Sequence, residues 1–154
     1  MSEANGPGVF VPPPLIFAVA MAAGVLIDGD ALAWRHAGRP AQVAGAALAV
    51  AGLVLIGGAL GLFRRARTRP EPWRPASVLI ASGLYRFTRN PMYLGMTLVS
   101  AGIAIFFESI AAAILLAVVV PIIDRFVIAR EEAYLLRTFG QPYAAYRKTV
   151  RRWF

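Results

Sequence analysis

Apolar residues fall along this chain in four blocks. Residues 15–27 carry no charge, and Phe10 and Val11 before them and positions 31–34 after them extend the block, predicting a span over about 13–34. Pro12, Pro13 and Pro14 open it, and Asp28 and Asp30 soften its end. Residues 41–63 are the clearest block: twenty-three positions without a charge, only Gln42 polar. A third block covers 91–107 and a fourth 109–129, separated by Glu108 alone. A bilayer core about 30 Å thick takes roughly twenty apolar residues of helix. Blocks three and four together exceed one crossing, so a tight helical hairpin turning at Glu108 is expected. Ser109 is the natural N-cap of its second arm, and Phe106 and Phe107 sit at its tip.

The pattern changes after Ala129. At 3.6 residues per turn Asp124, Ile128, Glu131 and Leu135 share a face, which predicts that the fourth helix leaves the lipid as an amphipathic rod. Gly140 is placed to cap it, and the chain restarts at Gln141-Pro142-Tyr143 as a short last helix. The expected fold is an all-α membrane protein of a single domain, residues 1–154. It has about four transmembrane helices and a cytoplasmic C-terminal amphipathic helix. Segments 77–95 and 130–154 are its polar, site-forming parts.

Charge sets the orientation. Of sixteen basic residues fifteen are Arg, the net charge is +8, and fourteen of the sixteen lie in 64–89 or 125–152. With four spans these two segments share one side. The positive-inside rule then puts them and both termini in the cytoplasm. Because the charges sit between apolar runs, membrane lipids rather than nucleic acid are the expected partner. The first residues lack a basic n-region, so the first block is expected to be retained as a helix. The richness in Arg and Ala points to a prokaryotic inner membrane. A monomer or a homodimer is expected, since Gly57, Gly58 and Gly61 provide small-residue spacing for close helix approach. Pro121 predicts a kink in the fourth span. The linker 64–75, rich in Arg and Pro, cannot be a continuous helix; it either meets lipid headgroups or folds over a site, with Trp73 as anchor or wall.

Cysteine is absent and His36 is the only histidine, which removes thiolate chemistry and makes a metal site or a histidine triad unexpected. The chemistry-bearing stretch is instead Tyr85 to Gly95: two tyrosines, Arg89, Asn90 and Pro91 leading directly into an apolar run. A hairpin would bring Arg89, Asn90 and Tyr93 near Asp124, Arg130 and Glu131. Such a place suits a zwitterionic cofactor arriving from water and a lipid-like acceptor arriving from the bilayer.

These residues resemble a known group. Arg89-Asn90-Pro91-Met92-Tyr93-Leu94-Gly95 is similar to the R-H-P-x-Y-x-G motif of the integral-membrane methyltransferases, which include the isoprenylcysteine carboxyl methyltransferases and the phospholipid methyltransferases. Glu131-Glu132-Ala133-Tyr134-Leu135, then Phe139-Gly140, Tyr143 and Tyr146, resembles their second signature without a gap, and Val150 and Arg152 fit its basic tail. The resemblance covers about 77–154. It implies S-adenosylmethionine as cofactor, held by Ser77, Val78, Leu79, Ile80, Tyr85, Arg89, Asn90, Pro91, Met92, Tyr93, Gly95 and Glu131. Glu131 would accept hydrogen bonds from hydroxyl or ammonium groups, and a tyrosine face would meet the sulfonium. Arg130 as anion holder and Glu132 as base are the expected catalytic residues. The implied reaction is methylation of a lipid-like or small hydrophobic carboxylate, amine, thiol or hydroxyl.

Two positions depart from the pattern. Asn90 replaces the motif's His and cannot titrate near neutrality. Val127 stands where prenylcysteine enzymes carry a carboxylate-binding Arg, which removes that basis for a prenylcysteine acceptor. Sterol reductases carry a similar first motif, so an NADPH-dependent membrane reductase is one alternative. A non-catalytic membrane accessory protein is the other.

Overall fold

The computed structural model describes residues 11–29, 38–68 and 77–153. His36, Trp34 and the part of the basic linker that carries Trp73 lie outside the described residues, as does the expected folding of that linker over a site. Every longer regular element among the described residues is helical.

α1 (Pro13–Ile27) opens on proline, whose missing N–H costs nothing in a first turn. It closes at Asp28 and at Gly29, which takes φ 79°. The helix is therefore shorter than the expected 13–34, and its 15 residues rise about 22 Å. α2 (Arg39–Arg65) exceeds the expected 41–63 by a half-turn at each end, with Arg64 and Arg65 beside the negative end of its dipole. α3 (Pro91–Phe106) begins at the motif's proline. Three residues later α4 (Ile110–Ile122) starts, and Ser109 caps it by accepting a 3.0 Å hydrogen bond from the amide of Ala112.

α4 passes through a π-helical segment, Ile123–Ile128, into α5 (Ala129–Phe139). Pro121 lies inside α4, and the π turn begins two residues beyond it, where the helical register slips. Gly140, at φ 57°, ends α5, and α6 (Gln141–Thr149) follows. Two helical stretches, Arg39–Arg65 and Ile110–Phe139, are long and apolar enough to cross a membrane; α1 and α3 are shorter apolar helices.

The most extensive packing joins α2 to α3. A Cβ on Gly52 would lie 2.5 Å from the carbonyl oxygen of Gly95, and one on Gly45 would lie 2.6 Å from that of Gly102. Backbones touch directly there, so only glycine fits. The expected triplet does not serve this purpose. A Cβ on Gly57 or Gly61 would meet nothing within 4 Å, and one on Gly58 would meet only the Leu84 side chain. α1 lies against α4, where Asp28 accepts a 2.5 Å hydrogen bond from Ser109 Oγ.

The main buried cluster gathers Phe17 of α1, Tyr93 and Met96 of α3, Val119 of α4, and Ile123, Val127 and Ile128 of the π segment, with Trp153 packed against it. Outside that core the surface is strongly apolar: Val43 is 69% exposed, Val54 68%, Ile110 72% and Phe126 60%. Faces of this kind call for a non-aqueous neighbour.

Candidate active site

The segment before α3 is held by the chain's own tail. The Arg89 amide donates to the Arg151 carbonyl at 3.0 Å. Thr88 Oγ1 donates to the Arg152 carbonyl at 3.1 Å, and Asn90 Nδ2 donates to the same oxygen at 3.0 Å. Asn90 is the N-cap residue of α3, yet its side chain makes no cap bond; its Nδ2 is turned to the tail. A single-turn 3₁₀ helix, Gly83–Arg86, sits just upstream, and there the Tyr85 carbonyl accepts a 2.7 Å bond from Tyr146 Oη of α6.

These contacts enclose a cavity of about 290 Å³. Its polar lining comprises Arg89, Asn90, Tyr93, Glu131 and Glu132, together with Tyr85, Tyr143 and Tyr146. Its apolar lining comprises Val78, Leu79 and Ile80, Met92 and Met96, and Leu135. Pro13 and Pro14 of α1 and Phe63 of α2 also line it. Phe63 meets Tyr85 edge to face, with centroids 6.0 Å apart.

Two carboxylates adjacent in sequence have different partners. Glu131 Oε1 accepts a 2.5 Å hydrogen bond from Tyr93 Oη, joining α3 to α5. Glu132 is buried and paired with two cations: Arg89 Nη1 stands 3.0 Å from Oε1, and Arg152 engages both oxygens, at 3.2 Å through Nε and 2.6 Å through Nη2. The Arg89 contact lies outside hydrogen-bonding alignment. Its Nη1 and Nε are buried and, among the described residues, have no hydrogen-bond acceptor.

Burial governs the protonation states. It pushes the Glu131 carboxyl up to about 7, with Glu132 adding to the rise and the Tyr93 hydrogen bond opposing it. Burial likewise pushes Tyr143 up to about 12, Glu132 reinforcing this and Arg89 opposing it. Tyr85 and Tyr146 are raised for the same leading reason, so these phenols keep their protons, and Tyr146 donates its own to the Tyr85 carbonyl. Arg152 is held above its ordinary value, chiefly by its hydrogen bond to Glu132.

Residues 40–142 match the model of the phospholipid methyltransferase family. The chain belongs to the phospholipid methyltransferase family. It is also 36% identical over 62 residues to an uncharacterised protein of Haemophilus influenzae, an alignment covering 40% of this chain and 98% of that protein. Family membership, together with two helices of membrane-crossing length and composition, makes this a membrane protein.

Within this methyltransferase-family fold, most residues singled out from sequence converge on the cavity. Val78, Leu79, Ile80, Tyr85, Arg89, Asn90, Met92, Tyr93, Glu131 and Glu132 all line it. Four do not. Ser77 is exposed and pairs its hydroxyl with Thr68 at 2.8 Å. Pro91 is buried as the first residue of α3, and Gly95 is where α2 touches α3. Arg130 is exposed on the outer side of α5, because Glu131 and Glu132 take the two inward positions of that turn. Asp124 also misses the cavity. It accepts from Arg152 Nη1 and Trp153 Nε1, each at 2.9 Å. The tyrosines of α6 were visible in the second signature without a role assigned to them. Nothing local marks Pro13, Pro14 or Phe63, which reach the cavity only through the fold.

Proposed function

We propose that this protein is an S-adenosylmethionine-dependent methyltransferase that methylates a lipid-like or small hydrophobic acceptor at the cytoplasmic face of a prokaryotic inner membrane. The observation that carries this reading is the Tyr93–Glu131 hydrogen bond inside a cavity lined by both polar and apolar side chains, in a chain of the phospholipid methyltransferase family.

The residues suit that cofactor. Two buried Arg89 donors, Nε and Nη1, have no hydrogen-bond acceptor among the described residues and are fit for a carboxylate. Glu131 is fit for an ammonium or for hydroxyl groups, and the ring faces of Tyr85, Tyr143 and Tyr146 for a cationic sulfonium. When bound, the cofactor supplies an electrophilic methyl group. The chain's own work is positioning and water exclusion. Fixing two reactants in line is worth on the order of 7–11 kcal/mol of barrier. Leu79, Ile80, Met92, Met96 and Leu135 line the cavity with apolar surface and serve to exclude water. Glu132 is committed to Arg89 and Arg152 and serves to hold Arg89 in place.

In this reading α1, α2, α3 and the α4–α5 rod all enter the bilayer, α3 and α4 as a tight hairpin. The membrane part of the rod ends near Ala129, and α5, α6 and both termini lie on the cytoplasmic side. In this reading the acceptor's reactive head enters the cavity of about 290 Å³ beside the cofactor while its hydrocarbon stays in lipid. Calorimetry on detergent-purified protein, with S-adenosylhomocysteine in one titration and NADPH in the other, tests the assignment. Binding of the first alone is expected; binding of NADPH alone, or of neither, contradicts it.

A further inference from the structure

Arg152 does not line the cavity, yet it is joined to more of the site than any one wall residue. Its guanidinium takes both oxygens of Glu132 and one of Asp124, and its carbonyl accepts from Thr88 and Asn90. The next residue, Trp153, bonds the other oxygen of Asp124 and packs on the main core. The tail thereby connects the segment before α3, the π segment and α5.

The charges explain what this achieves. Glu132 is a buried carboxylate facing two guanidinium groups. Arg152 forms the bidentate pair with it, the stronger geometry. Arg89 is left with an off-axis ion pair to Glu132 and a hydrogen bond to Tyr143, and among the described residues its Nε and Nη1 have no hydrogen-bond acceptor. Were Arg152 absent, Glu132 would need another partner, since an unpaired buried charge is costly. Arg89 is the cation already in reach and would turn its fork onto Glu132.

We propose that Arg152 is a positioning residue: by holding Glu132 from outside the cavity, it keeps the Arg89 donors free for the carboxylate of the bound cofactor. This rests on the cofactor reading given above.

The test compares two ligands by calorimetry: S-adenosylhomocysteine, and its descarboxy analogue, which keeps the ammonium and lacks the carboxylate. Wild-type protein should bind the former about tenfold more tightly, the value of one charge-assisted hydrogen bond. Arg152→Met should weaken S-adenosylhomocysteine about tenfold and leave the analogue unchanged, erasing the difference. Arg152→Lys, which restores the charge without the fork, should recover part of it. A variant that loses both ligands equally, or neither, overturns the positioning role while leaving the cofactor reading intact. Equal wild-type affinity for the two ligands also overturns it. Failure of wild-type protein to bind either one removes the cofactor reading, and the role of Arg152 with it.

Discussion

Tyr93 and Glu131, separated by 38 positions in the chain, are joined by a 2.5 Å hydrogen bond between the first turns of α3 and α5. This contact ties the two segments that carry the family's motifs into one wall. It also works on the carboxyl itself, because the phenol favours the ionised form while burial disfavours it.

Tyr93→Phe removes that bond and little else. S-adenosylhomocysteine affinity should fall about tenfold, on the scale of one hydrogen bond to a charged group. The midpoint of the pH dependence of binding should move upward, since the opposing influence on Glu131 is gone. Calorimetry across a pH series reads both. An unchanged midpoint would show that the phenol does not act on Glu131.

The position of Glu131 near 7 predicts how binding follows pH. Below that value the carboxyl is neutral and offers little to a cation; above it the carboxylate attracts one. Affinity for the ammonium-bearing ligand should therefore rise with pH, by about tenfold between one unit below the midpoint and one unit above. Glu131→Gln should flatten the profile and bind weakly throughout. A falling profile, or one that survives the substitution, contradicts the assignment of Glu131.

Glycines that share one helix should differ sharply in tolerance. Gly52→Ala forces a methyl group into the α3 backbone and should destabilise by at least the 1–3 kcal/mol typical of overpacking. Gly57→Ala meets open space and should be neutral or stabilising by up to about 1 kcal/mol. Thermal unfolding in detergent distinguishes the pair, and similar melting temperatures would mean that α2 and α3 do not meet at Gly52.

Much of this arrangement was legible in sequence, and the reasons for the rest are physical. Pro91, Ser109 and Gly140 mark element ends because their chemistry at those positions is local. The π segment is not a local property: a strict 3.6 period put Asp124 on one face with Glu131 and Leu135, but the slipped register sends Asp124 to Arg152 and Trp153 instead. The contributions of Pro13, Pro14 and Phe63 depend on how α1 and α2 reach the cavity, which no local pattern encodes. Within the chain the close approach of α2 to α3 is made at Gly45 and Gly52 rather than at Gly57, Gly58 and Gly61, because the face that meets α3 is fixed by packing and not by local spacing. Arg130 looked as eligible as Glu131 and Glu132 until the turn of α5 carried it outward.

The opposite end of the fold should be separable from the site. Ser109→Ala removes the cap of α4 and the bond to Asp28, and should cost about 1–2 kcal/mol of stability. Ligand affinity should not change, because neither residue approaches the cavity. Thermal unfolding and calorimetry on one preparation check both halves, and a parallel loss of affinity would show that the two ends are coupled.

The central claim is methyl transfer at the Glu131 wall. Membranes containing the protein, supplied with S-adenosylmethionine labelled in its methyl group, test it most directly. Label should enter the lipid-extractable fraction with wild-type protein, and the rate should drop at least tenfold with Glu131→Gln. Absence of transfer by wild-type protein across carboxylate, amine, thiol and hydroxyl lipid acceptors, or equal transfer by the variant, would contradict the account.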